Sequence, residues 1–495
     1  MTAITTGDHL VVRIADSDPD EGSVPSTTSF DGSVVNVGPT GVPALEPLVT
    51  VSAAGRTALH TRCSTEDLES IVASIDTTGS VDGSDPDAVL SHAPDRNQFP
   101  TAPLPGLRAG DRRVLGACGW RRPTSVADHE AAGGFVASEA ETVLSVGESL
   151  QGRGWGDLCQ DRSLTDIWRT VRAADGDPIV VVNGHGSPAD TLLLSSAPFD
   201  VLDGASALAN TVAADRIVIY VSSEVDNVVE TVGSAIDAYP DPAAPMEVCT
   251  GPQEYRAAEP TMTVEALEGN HRLEARLRPP GLERVGLDGQ PTLVHTPRTL
   301  AHLAVGLREG IDEQTRVLTV RGDVDSVATV ELSETETLSE LVDTVGVDGS
   351  FKAACVGGRF GGITRDLDVG IGSKALRDAD LGTDGTVDVL SDDRCVVEFV
   401  GQRVSFAAEE NCGRCVPCRE GTAQLTSLLR DVYGGEFDTQ AIEELVRVMT
   451  TSSICAFGER AGRPARTAIE AFTSEFQAHA EGRCSAGTCL DALEA

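Results

Sequence analysis

Hydrophobic positions recur along the chain with several different periods, and each change of period predicts a different kind of element. Near the N-terminus, LVVRIA and SVVNVG predict strands, and EPLVTVSA followed by GRTALHT predicts a hairpin. A polar loop, DSDPDEGSVPSTTSFDGS (residues 16–33), separates the first two strands. The next segment, STEDLESIVASI, pairs Ser64 with Asp67 in a capping arrangement and places its apolar residues on one helical face.

The middle of the chain has continuous apolar runs instead of alternating ones. DPIVVVNG and ADRIVIYVSSE are typical of buried strands, and the helical pattern of DVLDGASALANTVAA lies between them. A strand–helix–strand order of this kind predicts a parallel sheet with right-handed connections. From about residue 315, the segments TRVLTVRGDV, ATVELSET, TLSELVDTVG and FKAACVGG alternate strands with one helix, which predicts a small separate module.

The last hundred residues change to a helical period. Three apolar stripes at helical spacing predict a helix bundle. They are Leu425, Leu428, Leu429 and Val432; Ile442, Leu445, Val446 and Met449; and Ala465, Ala468, Ile469, Phe472 and Phe476.

Composition and charge narrow the class of protein. A chain of 495 residues exceeds one hydrophobic core, so we expect three or four domains. The formal net charge of −39 excludes nucleic acid as a partner, and no apolar run is long enough for a membrane span. Acidic residues are spread along the chain and Lys352 and Lys374 are its only lysines, a pattern typical of a salt-rich cytoplasm such as that of a halophilic archaeon. The N-terminus shows no secretory signal, which favours a cytoplasmic protein, either free or peripheral to a membrane complex.

Four cysteines near the C-terminus supply the strongest chemical signal. Cys412, Cys415 and Cys418 form a C-x2-C-x2-C triplet, and Cys455 follows 37 residues after Cys418. A compact triplet with one distant cysteine is the ligand pattern of a [4Fe–4S] cluster. A zinc site, which usually has two separated C-x2-C pairs, and a set of disulfides, which needs an oxidising compartment, are the alternatives. We expect the backbone N–H groups of Gly413, Arg414 and Val416 to bond to the sulfur atoms.

The other cysteines give weaker signals. Cys484 and Cys489 form a C-x4-C pair in the tail, which indicates either two unligated thiols or half of a metal site shared with a partner. The remaining cysteines have no pairing spacing and are expected to be buried apolar residues. These include Cys118, Cys159, Cys249, Cys355 and Cys395.

Four segments together resemble the NADH-binding 51-kDa-type flavoprotein subunit of respiratory complex I and the diaphorase subunits of NAD-linked hydrogenases and formate dehydrogenases. They are RVLGACGWRRPTSVADHEAAGGF with SLQGRGWG; EYRAAEPTMTVEALEG with RLRPPG and GQPTLVHTPRTLAHL; VGGRFGGIT; and ENCGRCVPCREGT with SSICAFGERAG. The resemblance covers roughly residues 107–480 and is strongest at the cysteine motif.

The resemblance implies a multidomain α/β protein. The expected units are a degenerate thioredoxin-like [2Fe–2S]-type domain (1–80), a linker (81–106), a Rossmann-like FMN- and NADH-type domain (107–312), a β-grasp (SLBB) domain (313–396), an iron–sulfur-binding helix bundle (397–482) and a tail (483–495). In the N-terminal domain, the family's cluster cysteines are replaced, and Cys63 alone cannot hold a cluster.

The resemblance also assigns FMN and NADH contacts, several of which this chain has changed. The residues that match the family's nucleotide site are Gly152, Arg153, Gly154, Asn183, Tyr255 and Glu259. Trp155 and Asp157 replace two later glycines of the loop, and His295 and Thr296 replace an Asn-Asn pair. Trp155 would fill space that a flavin needs, and Asp157 would add negative charge beside its phosphate.

The sequence therefore predicts an electron-transfer subunit with one [4Fe–4S] cluster, of the NADH dehydrogenase type, with a weakened FMN and NADH site. Its partners would be other redox protein subunits. The alternative is a non-catalytic scaffold or interaction protein in which the cluster only stabilises the bundle.

Overall fold

The protein is a mixed α/β multidomain chain built on three sheets and a C-terminal helix bundle. The computed structural model describes residues 10–17, 32–135, 138–310 and 314–489. Most of the loop predicted at 16–33 lies outside these residues, as does the domain boundary predicted at 312–313.

The N-terminal unit is a mixed five-stranded sheet with one helix packed on it. Its strands are β1 (Val11–Ala15), β2 (Ser33–Val37), β3 (Leu48–Ala53), β4 (Arg56–His60) and β5 (Ala88–Ser91), in the order β2-β1-β3-β4-β5. Helix α1 (Thr65–Thr78) begins at the predicted capping box, in which the Ser64 hydroxyl accepts from Asp67 N and the Asp67 carboxylate accepts from Ser64 N. Strand β5 falls within the predicted linker and pairs antiparallel with β4, so part of that segment belongs to the sheet.

The second unit is the parallel sheet that the continuous apolar runs predict. Its strands are β6 (Ile179–Asn183), β7 (Arg216–Ser222), β8 (Met246–Gly251) and β9 (Thr292–His295), in the order β8-β7-β6-β9. All three pairings are parallel. Its helices are α2 (Val126–Ala131), α3 (Ala140–Glu148), α4 (Leu164–Arg172), α5 (Pro188–Ser196), α6 (Pro198–Val212), α7 (Asp226–Ala238), α8 (Pro260–Leu267) and α9 (Pro297–Glu309). Two helices, α5 and α6, replace the single predicted crossover helix.

The third unit is a five-stranded mixed sheet. It contains β10 (Thr315–Gly322), β11 (Ala328–Ser333), β12 (Phe351–Val356), β13 (Gly362–Thr364) and β14 (Thr386–Ser391), in the order β11-β10-β14-β12-β13, with helices α10 (Leu338–Val345) and α11 (Ser373–Asp378). Strands β10 and β14 are parallel and the other pairs are antiparallel.

The C-terminal unit is a bundle in which the three predicted stripes are the buried faces of three helices. Its elements are α12 (Val396–Glu410), α13 (Val416–Tyr433), α14 (Thr439–Ser452), α15 (Ala456–Arg460) and α16 (Arg463–Ala480). Helix α12, for which no stripe was predicted, precedes the cysteine triplet, so the triplet lies at the start of the second helix of the bundle.

Shared hydrophobic cores join these units. The first and third sheets contribute to one core, in which Leu48 and Phe99 lie near Leu318 and Val387. The bundle core extends to Trp155 and to the segment before α8. In the described residues, no single helix is long and apolar enough to cross a membrane; the bent pair α5 and α6 passes a length and composition test together, but their axes differ by 97° and both are largely buried.

Candidate metal centre and nucleotide cavity

The cysteine triplet occupies the turn between α12 and the start of α13. Asn411 ends α12, and its side-chain amide donates to the carbonyls of Ala407 and Ala408 at 3.1 and 2.8 Å. Cys415 is the N-cap residue of α13 and Cys418 lies in its first turn. Cys455 is the N-cap residue of α15. Helix starts expose free N–H groups and a positive dipole end, a favourable setting for thiolates.

The fold brings these four thiols together. Gly458 in α15 lies so close to α13 that a β-carbon there would be 2.8 Å from Cys418 Cβ. Burial, together with the nearby Cys415, Cys455 and Cys412, raises the pKa of the Cys418 thiol. Cys418 and Cys455 are buried, whereas Cys412 and Cys415 are half-buried. The set therefore has an inner side within the bundle and an outer side toward solvent.

The N–H donors around this set differ from those predicted. The N–H of Gly413 donates to Asn411 Oδ1 at 3.0 Å, so the expectation that it bonds to sulfur is wrong. The N–H groups of Phe457 and Gly458, at the start of α15, instead bond to Cys455. Burial nevertheless raises the pKa of Cys455 to about 12. The expected bonds from Arg414 and Val416 N–H stay predictions.

The donor set fits a [4Fe–4S] cluster. Four cysteine thiols are available at one place, three of them from one turn, as the cluster requires. The surrounding loop is braced, because Arg414 Nη1 donates to Ala275 O at 2.9 Å and Arg419 Nη1 donates to Gly413 O at 2.8 Å. These hydrogen bonds connect the cysteine-bearing loop to the segment before α8 and to the first turn of α13.

The glycine-rich loop, residues 152–157 (GRGWGD), differs from the cysteine set because the protein's own side chains pack into it. Gly154 adopts φ +90°, and a β-carbon there would overlap the Arg298 guanidinium. A β-carbon at Gly152 would overlap the Asp157 carboxylate. Arg153 is buried, and its Nη1 donates to Glu334 at 3.1 Å. The protein's own side chains therefore pack closely against the loop.

Asp157 lies at the N-terminus of α9. Its Oδ2 accepts from Thr296 N at 3.2 Å and from the Thr299 hydroxyl at 2.7 Å, and its Oδ1 accepts from Cys159 N at 2.8 Å. His295 Nε2 accepts from the indole N–H of Trp168 at 2.9 Å, which leaves His295 Nδ1 to donate to Asp157 at 3.1 Å. The carboxylate and the imidazole are both fully buried.

In this arrangement, a position suited to a bound anion is occupied by the Asp157 carboxylate of the chain itself. A helix N-terminus with convergent N–H and O–H donors is the usual setting for a bound phosphate. Here the Asp157 carboxylate already accepts those hydrogen bonds. The loop as it stands does not fit an FMN phosphate at this position.

Trp155 lies between the loop and the cysteine-bearing segment. Its indole stacks on the Tyr255 ring, with centroids 5.2 Å apart and planes 13° apart, and it meets the edge of Phe457 at 6.3 Å. Phe360 and Phe406 complete this aromatic group. Phe457 is two residues from Cys455, so the group lies next to the cysteine set, and Trp155, Tyr255 and Phe406 also line the cavity described next.

A cavity of about 1090 Å³ opens beside Trp155 and Tyr255. Gly184, His185 and Gly186, which follow β6, form one wall of this cavity. His185 Nε2 donates to Pro252 O at 2.7 Å, and its Nδ1 has no hydrogen-bond partner in the part of the chain that the structure describes. Burial lowers the pKa of His185, which keeps the imidazole neutral.

Of the six residues predicted for the nucleotide, only Tyr255 lines this cavity. Asn183 is buried and donates to Gly156 O at 3.0 Å and to Ala258 O at 2.8 Å. Glu259 caps α8 by accepting from Thr261 N at 2.8 Å and Met262 N at 3.1 Å. Both side chains bond to neighbouring segments of the chain, and Arg153 likewise bonds to Glu334.

The structure also assembles a set of side chains that the sequence reasoning missed. Cys395, His479, Cys484 and Cys489 place their ligand atoms within 4.8 Å of one another. The C-x4-C spacing indicated the last two. Cys395, expected to be an isolated apolar residue, and His479, within a helical stripe, gave no signal because their partners are distant in sequence.

Comparison with protein families matches two regions of the chain. Residues 167–304 match the Nuo51 FMN-binding domain, and residues 398–479 match the NADH-ubiquinone oxidoreductase-F iron–sulfur binding region. The second match spans Cys412, Cys415, Cys418 and Cys455. The first spans the parallel sheet and begins after the glycine-rich loop.

Individual relatives extend over most of the chain. It is 25% identical over 427 residues to the HndC subunit of the NADP-reducing hydrogenase of Solidesulfovibrio fructosivorans, covering 76% of this chain and 85% of that protein. It is 27% identical over 402 residues to the F 2 subunit of the NADH-quinone oxidoreductase of Rhizobium meliloti, covering 72% and 94%. A solved structure of NAD+-reducing [NiFe]-hydrogenase in the air-oxidized state has the same fold, with a TM-score of 0.67 at 20% identity, over 97% of this chain and 85% of that one.

Proposed function

Because the chain belongs to the family of 51-kDa-type flavoprotein subunits, we propose that it is an electron-transfer subunit with one [4Fe–4S] cluster held by Cys412, Cys415, Cys418 and Cys455. The convergence of these four thiols at the starts of α13 and α15 is the observation that supports this most directly. A cluster bound there supplies one-electron transfer. The chain itself supplies the thiolates, the N–H groups of α15 and the packed inner face.

The two sides of the cysteine set suggest where a partner docks. Cys418 and Cys455 face the bundle core, whereas Cys412 and Cys415 are half-buried. Val416, next to Cys415, is 59% exposed and is one of the few large apolar side chains on the described surface. We infer that a partner redox subunit covers this outer side, because electron transfer needs close approach and an exposed apolar residue favours a protein contact.

The state of the glycine-rich loop bears on where electrons enter. In the family this loop approaches FMN, but here Asp157 takes the hydrogen bonds of the anion position and Trp155 stacks on Tyr255. We propose that this subunit exchanges electrons with other redox subunits instead of taking hydride from NADH through FMN. The FMN-type domain would then serve as a scaffold that positions the cluster.

The remaining units are assigned by the same proposal. We take the first sheet with α1 as a thioredoxin-like module without a cluster, since Cys63 is its one cysteine. The third sheet would be a β-grasp module. Both would position the subunit within a complex in the cytoplasm, at most peripheral to a membrane.

A redox titration distinguishes this proposal from a scaffold with a structural cluster. The anaerobically purified protein should bleach with dithionite and regain its absorption on reoxidation without loss of iron. A cluster that resists reduction, or that loses its iron on reduction, would support the scaffold.

The cavity of about 1090 Å³ favours a second candidate, NADH oxidation at a modified site. Its volume is slightly above the usual range of small-molecule and cofactor pockets. His185 Nδ1, which has no hydrogen-bond partner among the described residues, adds a polar contact at its wall. This candidate predicts that the purified protein reduces ferricyanide with NADH. Absence of that activity in protein with a full cluster would exclude it.

A further inference from the structure

Two parts of the chain that are far apart in sequence, the start of α12 and the segment from the last turn of α16 onward, meet at one end of the bundle. Cys395 is the N-cap residue of α12, directly after the third sheet. His479 lies in the last turn of α16. Cys484 and Cys489 follow in the segment after α16, where Cys484 O accepts from Gly487 N at 3.3 Å. None of these residues belongs to the cysteine set assigned to the iron–sulfur cluster.

The four ligand atoms form a compact group. Cys395 Sγ and Cys489 Sγ each lie 3.2 Å from His479 Nε2, and all four atoms are within 4.8 Å of one another. Cys395, His479 and Cys489 are buried and Cys484 is half-buried. With a metal–sulfur distance of about 2.3 Å and a metal–nitrogen distance of about 2.0 Å, four ligands around one ion lie within about 4 Å of each other. This spacing suits a single ion.

The imidazole of His479 is oriented for ligation. Its Nδ1 lies 2.7 Å from Glu475 O, and since a carbonyl only accepts, Nδ1 bears the proton and donates. The lone pair is then on Nε2, which faces the thiols. A metal-binding histidine commonly donates its other N–H to a carbonyl in this way, which fixes its tautomer and its orientation.

We propose that Cys395, His479, Cys484 and Cys489 bind one zinc ion. Three cysteines and one histidine are a common ligand set of closed, four-coordinate structural zinc sites, which have no position left for substrate. The ligands come from both ends of the bundle, and three of them lie outside residues 398–479, the region matched to the family's iron–sulfur domain. Spacing within the tail alone would provide only two ligands.

The site would fasten the end of the described chain to the junction between the third sheet and the bundle. Glu475 already links the same elements, because its Oε1 accepts from Val396 N at 3.0 Å and its Oε2 pairs with Lys352 at 3.1 Å. Zinc has no redox chemistry, so it takes no part in electron transfer. Its role is to hold α12 and α16, the helices on either side of the cluster-binding segments, in a fixed relation.

Metal analysis and zinc-edge X-ray absorption of the anaerobically purified full chain test this directly. We expect about one zinc per chain with three sulfur ligands and one nitrogen ligand, at about 2.3 and 2.0 Å. No zinc, a zinc with four sulfur ligands, or iron in its place would overturn the proposal. So would a disulfide between Cys484 and Cys489. The measurement uses the unaltered protein, so it does not depend on a variant that folds.

A pair of variants then identifies the ligands. In Cys489→Ser, zinc should fall to background while iron stays at the level of the unaltered chain. Cys249→Ser, which changes a half-buried cysteine outside both sets, should retain both metals. Retention of zinc in Cys489→Ser, or loss of iron without loss of zinc, would contradict the assignment.

Discussion

The cysteine set and the glycine-rich loop are two redox-type sites of one chain, and they differ in what fills them. The four cysteines converge with their thiols free of other covalent bonds, at helix starts that stabilise negative charge. In the loop, the Asp157 carboxylate accepts the hydrogen bonds at the N-terminus of α9, and the Trp155 ring stacks on Tyr255.

On the proposed function, the fold of the FMN-type domain is retained while the chain's own carboxylate takes the phosphate position. A cluster site depends on four cysteines at fixed places, so the loss of one ligand disrupts it. A phosphate site made from N–H groups depends on empty space as well, and a single carboxylate on a neighbouring residue can satisfy the same donors. The parallel sheet next to the loop does not depend on whether this position holds a phosphate or the Asp157 carboxylate.

The largest expected effect is on the cluster side. In Cys418→Ser, iron and sulfide should fall from about four per chain to near zero, because the cluster loses an inner ligand. Iron and sulfide analysis after anaerobic purification measures this. The matched control is Cys355→Ser, a buried cysteine outside the set, and retention of a full cluster in Cys418→Ser would refute the ligand assignment.

For the domain that contains the glycine-rich loop, we expect stability without a nucleotide, because its buried charges are paired. Asp200 accepts from Arg121 Nη2 at 2.8 Å and from Arg308 Nη2. We expect Asp200→Asn to lower the free energy of unfolding by about 3–5 kcal/mol, since it leaves buried arginines without their partner. Denaturant unfolding measures this, and the exposed Asp215→Asn should change it by less than about 0.5 kcal/mol.

The same substitution has a predicted pH dependence. Burial opposes the ionisation of Asp200, but Arg121 and Arg308 outweigh it and hold the pKa of Asp200 well below its usual 3.8. A lowered pKa in the folded state contributes stability above the unfolded pKa and loses it as the pH falls further. The difference between the variant and the unaltered chain should therefore be constant above about pH 5 and shrink below about pH 4. A difference that grows toward acid pH would contradict this account.

Removing the Trp155 ring and the Asp157 carboxylate should allow the glycine-rich loop to bind a cofactor, as the cysteine set is proposed to do. In the double variant Trp155→Gly with Asp157→Gly, the donors from Thr296, Thr299 and His295 lose their internal anion. FMN affinity, measured by quenching of flavin fluorescence, should rise at least about tenfold, which corresponds to about 1.4 kcal/mol.

Asp161→Gly is the control for the reopened loop, because its backbone already adopts φ +61° and its carboxylate faces Thr383. It should leave FMN affinity unchanged. Equal affinities in all three proteins would show that Asp157 and Trp155 do not close the site.

The smallest effect should be common to both regions. With a net charge of −39, surface repulsion is screened over about 10 Å at 0.1 M salt and about 3 Å at 1 M. The thermal midpoint should rise by a few degrees between these concentrations, as the expected adaptation to a salt-rich cytoplasm requires. A midpoint that is unchanged or lower in 1 M potassium chloride would remove the support for that adaptation.

Local patterns allowed prediction of the elements whose signals are short in range. The capping box of α1, the buried strands β6 and β7 and the three bundle stripes are confirmed. The role of β5 was missed because a four-residue strand between polar segments has almost no periodicity.

Among the sites, too, only those with a local sequence pattern could be predicted. The cysteine triplet is a local pattern, whereas the hydrogen bonds of Asp157 to α9 cross more than a hundred residues. The substitution of Asp157 for a glycine was visible in the sequence, but its donors were not. The grouping of Cys395 with His479 likewise depends on how α12 and α16 pack, which no spacing in the sequence encodes.

Quantitation of iron, sulfide and flavin in the anaerobically purified protein tests the central claim most directly. Purification should be carried out in molar salt, so that surface repulsion does not unfold the chain. The account predicts about four iron and four sulfide per chain with no stoichiometric FMN. FMN near one per chain would contradict the closed loop, and a protein with flavin but no iron would contradict the account as a whole.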